Sequence, residues 1–203
     1  MMQLTNKKLI FIIAVLFIIL FLYFSVKNSF SSKSVEVKKI DSISNYNYIL
    51  HSNQSDIYKM EFKKLKEILE KPDVNTVEYE REVSKLFVID FFTLDDKITN
   101  TDIGGLDFIH ENMKSEFIKK ARNTIYRNVQ NNIYGDRKQE LPLVKDVKIT
   151  REQTIKYEKD NIKDENAYQV ELDIEYEKDL KYKSSVVLTL IHENEKIYIV
   201  EVK

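Results

Sequence analysis

Residues 168–176 read YQVELDIEY, and their strict alternation decides the fold of the chain's C-terminal half. Tyr168, Val170, Leu172, Ile174 and Tyr176 fall on one side of an extended strand, while Glu171, Asp173 and Glu175 fall on the other. Glu177 extends the acidic row, which is read as a solvent face; docking of a basic partner is the sharper alternative. Upstream, Val147, Ile149, Ile155 and Tyr157 alternate with polar residues; downstream, Val186, Leu188 and Leu190 form the next strand and Ile197 to Val202 the last. The connections at 177–181 and 192–196 are short, so neighbouring strands should pair as antiparallel hairpins. A sheet with one apolar face requires a cover.

The segment before it supplies that cover. Apolar Ile57, Phe62, Leu65, Ile68 and Leu69 recur at helical spacing between Ser55 and Lys71, and Pro72 ends the run. A second helix starts near Thr76, read as its N-cap, and carries Val83, Leu86, Phe87, Phe91 and Leu94 on one face. After the glycine-containing break TNTDIGG at 99–105, Met113, Phe117, Ala121, Ile125, Val129 and Ile133 predict a third helix closed by Gly135 and Asp136.

The opposite end of the chain has another character. LIFIIAVLFIILFLYFSV at 9–26 contains no charge. As a helix it would measure roughly 27 Å, enough to span a bilayer's hydrocarbon core. The expected division is a short tail at 1–8, a transmembrane anchor at 9–26, a Ser/Lys-rich spacer at 27–54 and a soluble domain at 55–203. A cleaved signal peptide is the competing reading, but the apolar run exceeds the usual core of one. The expected location is therefore the cell membrane, single-pass, with the domain extracytoplasmic. Lys27, Lys33, Lys38 and Lys39 beyond the helix oppose that orientation.

Composition narrows the chemistry. With 32 Lys and Arg against 33 Asp and Glu, there is no basic field for nucleic acid. The absence of cysteine excludes disulfides, thiol catalysis and cysteine-bound zinc. Three glycines and two prolines in 203 residues argue against a disordered or loop-rich chain.

Taken together, the expected fold class is α+β: an N-terminal transmembrane helix, then three helices on one face of a roughly four-stranded antiparallel sheet. That element order, over about residues 55–203, resembles the nuclear transport factor two-like, or cystatin-like, fold. Within it, the chain resembles the membrane-anchored assembly component of type IV secretion and Gram-positive conjugation systems. The stretch FVIDFFTLDDKITNTDIGG at 87–105 is similar to Firmicute envelope proteins. The resemblance implies a non-catalytic, often oligomeric module whose partners are the membrane, other envelope proteins or further copies of itself.

Candidate site residues are few. Asp90 sits on the apolar arc of the second helix between Leu86 and Leu94, so its carboxylate needs an ion-pair partner or a cavity. Arg122 and Arg127 are the candidate partners. The alternative is a pocket acid in a small-ligand-binding or enzymatic version of the fold. Residues 100–111 place Asn100, Asp102, Gly105 and Glu111 at calcium-loop spacing, but Asn stands at the first ligand position and Asp107 where an apolar residue normally packs. His51, His110 and His192 lie in separate elements without ligand spacing. No nucleophile elbow, phosphate loop or HExxH pair occurs, so no catalytic residue, cofactor or metal is assigned.

Overall fold

The computed structural model describes residues 15–18 and 34–203. Among them, no helix is long and apolar enough to cross a membrane. The expected fold class, with its transmembrane helix, and the expected single-pass location are corrected accordingly. Of the run at 9–26, residues 15–18 are described, as helix. The remainder of that run lies outside the described residues.

A second correction concerns the spacer. Residues assigned to it form β1 (Lys39–Ile43) and β2 (Tyr48–His51), an antiparallel pair joined by a 3-10 turn at Ser44–Tyr46. Asn47 closes that turn in the left-handed region, φ 54°, which asparagine tolerates. The hairpin is a separate two-stranded sheet. Tyr48 anchors it: the side chain is fully buried, and its hydroxyl lies 2.8 Å from that of Tyr79. Sequence alternation alone is a weak signal here, because only Ile43, Tyr48 and Leu50 are buried.

Next come α1 (Asp56–Leu69), α2 (Thr76–Phe92) and α3 (Glu111–Asn123), with a second 3-10 turn at Leu106–Phe108 before α3. The side chain of Ser55 caps α1 by accepting from the Tyr58 N–H. Asn75, one residue before the expected cap, does the same for α2 through the Glu78 N–H. α2 is the central helix. Twelve of its 17 residues are buried, including Glu80, Glu82, Ser84 and Asp90, so it is enclosed on nearly all sides and not along one stripe.

α3 ends ten residues before the expected stop at Ile133. Thr124 turns its hydroxyl back onto the Lys120 carbonyl at 2.7 Å, and the chain folds inward to bury Tyr126. The Tyr126 hydroxyl donates to the Phe91 carbonyl at 2.7 Å and accepts from the Gly104 N–H at 3.0 Å. Those anchored bonds, absent from a simple four-residue repeat, replace the continued helix.

The sheet contains β3 (Val144–Lys159), β4 (Ile162–Tyr176), β5 (Ser185–Glu193) and β6 (Lys196–Val202), antiparallel in sequence order. Val170, Leu172, Leu188, Leu190 and Ile199 are fully buried in one core with the helices. Each contributes about 1.5–3 kcal/mol by leaving water. Asp160 and Asn161 make the two-residue turn between β3 and β4, both with positive φ. The far end of that hairpin turns Tyr157, Ile162 and Ala167 onto Ile191 and Val200, a smaller cluster distinct from the main core. β3 is an edge strand interrupted by three register shifts, and such bulges discourage pairing with another chain.

Candidate functional site

Asp90 has the ion pair that its position demands, but the partner is neither arginine of the third-helix region. Lys97, from the loop after α2, places its Nζ 2.7 Å from Asp90 Oδ1. The other oxygen, Oδ2, accepts from the Gly105 N–H at 2.6 Å. Asp96 Oδ1 brings a second carboxylate to 2.9 Å from the same ammonium. Burial pushes the Lys97 ammonium down, yet the two carboxylates outweigh it and hold the group above its ordinary value. Burial raises the Asp96 carboxyl to about 6, against the pull of Lys97.

Backbone packing completes this cluster. A Cβ on Gly104 would stand 2.2 Å from the Asp90 carbonyl oxygen, so only glycine fits. Gly105 adopts φ +76°, and a Cβ there would meet the Phe87 ring at 2.6 Å. Arg137 donates to the Lys97 carbonyl at 2.8 Å and to the Asp95 carbonyl at 2.5 Å. The cluster thus fastens the loop after α2 to the helix itself.

The calcium-spaced residues are turned to other work. Asp102 Oδ2 accepts from the Ile98 N–H at 3.0 Å, inside its own loop. Asp107 Oδ2 accepts from the Ile49 N–H at 3.0 Å, holding β2. Among the described residues, no group of three or more His, Asp or Glu side chains could hold a metal ion.

The histidines remain apart. His110 caps α3, its Nδ1 accepting from the Asn112 N–H, and its Nε2 lies 2.8 Å from Glu193. His192 bridges two carboxylates, Asp164 at 2.8 Å and Glu80 at 3.0 Å. The Glu80 bond, opposed by burial and aided by Asp164, raises its imidazole above the ordinary value. His51 Nδ1 is buried without a hydrogen-bond partner. Elsewhere, burial lowers the Lys196 ammonium to about 8; its Nζ stands 4.4 Å from the Tyr48 ring centroid. In the acidic row, Glu175 pairs with Lys145 at 2.5 Å.

A groove lies elsewhere, beside α3. α3 stands off the sheet: of its 13 residues only Ala121 is buried, and Met113 and Phe117 are half-buried. Phe117 secures the helix by packing on Phe91, ring centroids 5.1 Å apart. Between α3 and β6 lies a groove of about 850 Å³. Its apolar wall includes Phe92, Met113, Phe117, Ile125, Ile199 and Val202. Five lysines line it (120, 159, 181, 183 and 203) against three acids, Glu116, Asp160 and Glu201. Lys203 is held by Glu201 at 2.8 Å, and Lys181 by Asp179. Lys120, Lys159 and Lys183 have no ion-pair partner among the described residues.

Asp90 does not line this groove. The periodicity of Met113, Phe117, Ala121 and Ile125 marks the helix face that forms one wall, but the same spacing describes ordinary core packing. Lys97 gave no sequence signal, since a lysine after LDD reads as a loop charge. No protein family model matches the chain, and no curated protein and no solved structure matches it.

Proposed function

We propose that this protein is a non-catalytic binding domain that assembles with a partner polypeptide through the groove between α3 and β6. The observation that carries the reading is the uncovered apolar stripe of α3. A helix whose inward face is largely half-buried leaves apolar area in water that a partner would remove. Of the groove's acids, Glu201 is already engaged by the Lys203 ammonium at 2.8 Å and by the Thr189 hydroxyl at 3.2 Å. The resemblance in element order to assembly components of conjugation and secretion systems agrees with a partner-binding role. The competing reading, a ligand pocket built on Asp90, draws no support from a carboxylate already committed to Lys97 and Gly105.

The test is site-specific photocrosslinking in the cells that make the protein. A benzophenone side chain replacing Phe117 should give a reproducible adduct of defined mass. The same group replacing Lys156, on the exposed edge strand β3, should give none. Equal adducts at both positions, or none at 117, would overturn the proposal.

A further inference from the structure

Resting on that reading, we infer that the groove's occupant is an extended polypeptide segment, with apolar and acidic residues in alternation, that adds a strand along β6. β6 is the last strand of the sheet. Val187 and Lys203 exchange both backbone hydrogen bonds, at 3.1 and 2.9 Å. The next pair, Leu188 and Val202, is therefore a non-bonded pair of the antiparallel ladder. Its geometry turns the Val202 N–H and C=O away from β5, and neither finds a hydrogen-bond partner among the described residues.

The chain itself begins the pairing that the partner would continue. Ile109 lies beside Ile199 in a parallel bridge, and the His110 N–H donates to the Ile199 carbonyl at 3.2 Å. The chain then departs into α3. The edge of β6 is thus covered at Ile199 and bare at Val202, where the groove opens. A strand laid there supplies the missing backbone partners. One set of alternate side chains would face Met113, Phe117 and Ile125, and acidic residues between them would lie within reach of the lysines that line the same groove.

Charge fixes the second half of the occupant's chemistry. Five lysines against three acids leave an excess of positive charge around the groove, and Lys120, Lys159 and Lys183 are unpaired among the described residues. A segment bearing Asp or Glu would be drawn in, and one bearing Lys repelled. An apolar chain with a single anionic head, such as a fatty carboxylate, would satisfy the lysines and the apolar wall but not the Val202 backbone.

The experiment uses the full-length chain and a fluorescein-labelled nine-residue peptide of alternating valine and glutamate, followed by anisotropy. Saturable binding is expected. It should weaken about tenfold for a valine–lysine peptide, for a backbone N-methylated peptide and for Lys120→Glu/Lys183→Glu. The Val202 amide should shift in the NMR spectrum on binding. Nile red, a neutral apolar dye, is titrated in parallel against wild type and Met113→Lys. If the dye binds wild type alone but the peptide does not bind, or if N-methylation has no effect, strand addition is wrong while the groove remains a binding site. If oleate displaces the dye and the peptide does not, strand addition is likewise overturned. If neither dye nor peptide binds, the groove reading falls as well.

Discussion

Glu61 on α1 and Glu82 on α2 are both buried, and no third group supplies a hydrogen bond to Glu61 Oε2 or Glu82 Oε1. Two facing carboxylates cannot both remain charged in such a site, so the pair holds a proton. Burial, reinforced by the bond to Glu61, pushes the Glu82 carboxyl from the usual 4.5 up to about 8. For Glu61, burial is outweighed by hydrogen bonds from Glu82 and Lys64, so it is held below its ordinary value. Lys64, 2.7 Å from Glu61, and the nearby Lys85 are the cations that act on the pair.

Between pH 4.5 and 8 the folded protein therefore binds a proton that the unfolded chain has released, and stability must fall as pH rises through that window. The slope for one proton is about 1.4 kcal/mol per pH unit, which sets a ceiling of about 4–5 kcal/mol over the interval. Sharing of the proton with Glu61 reduces the expected loss to about 2–3 kcal/mol. Glu82→Gln keeps the shape and a donor toward Glu61 while removing the titration. Urea unfolding of both proteins at pH 5, 6.5 and 8.5 should show their difference growing with pH in favour of the variant. His192 and other groups titrate in both proteins and cancel in that difference. Parallel pH profiles, or a variant that loses stability most at pH 8.5, would refute the shared proton.

Lys97→Met strands Asp90 and Asp96 as buried charges and should cost about 3–5 kcal/mol in urea unfolding. Asp90→Asn, which retains an acceptor for the Gly105 N–H, should cost less, about 1–2 kcal/mol. Gly104→Ala forces a Cβ to 2.2 Å from the Asp90 carbonyl oxygen and should lower stability by about 3 kcal/mol, read by thermal melting. The His192 imidazole should titrate above 6.5 by NMR, and Glu80→Gln should lower its midpoint. Because that folded value is raised, the stability His192 contributes is complete below 6.5 and is lost as pH rises through the folded midpoint.

The sheet was legible because 168–176 alternates without a fault and the structure buries Tyr168, Val170, Leu172 and Ile174 as that pattern requires. α1 was equally plain, with Ser55 before it and Pro72 beyond it. β1 and β2 leave little trace in the sequence because their placement depends on long-range bonds, Tyr48 to Tyr79 and Ile49 to Asp107. The four-residue repeat overextends α3 because it cannot reveal that Tyr126 is held by Phe91 and Gly104. Asp90 was recognisable as a buried charge from helical spacing alone. Its partner was not, because Lys97 reaches back across a loop whose path depends on Gly104 and Gly105. The groove was invisible for a related reason: an apolar stripe looks alike whether a neighbouring element covers it or stands away.

The claim that the α3–β6 groove is the working surface meets its most direct test in the size of the native complex. Sedimentation of wild type and Met113→Lys from gently lysed source cells provides that measurement, with thermal melting to show that the variant is folded. The account predicts that wild type sediments well above its own 24.2 kDa, whereas the folded variant sediments at the mass of the single chain. The same complex for both proteins would contradict it.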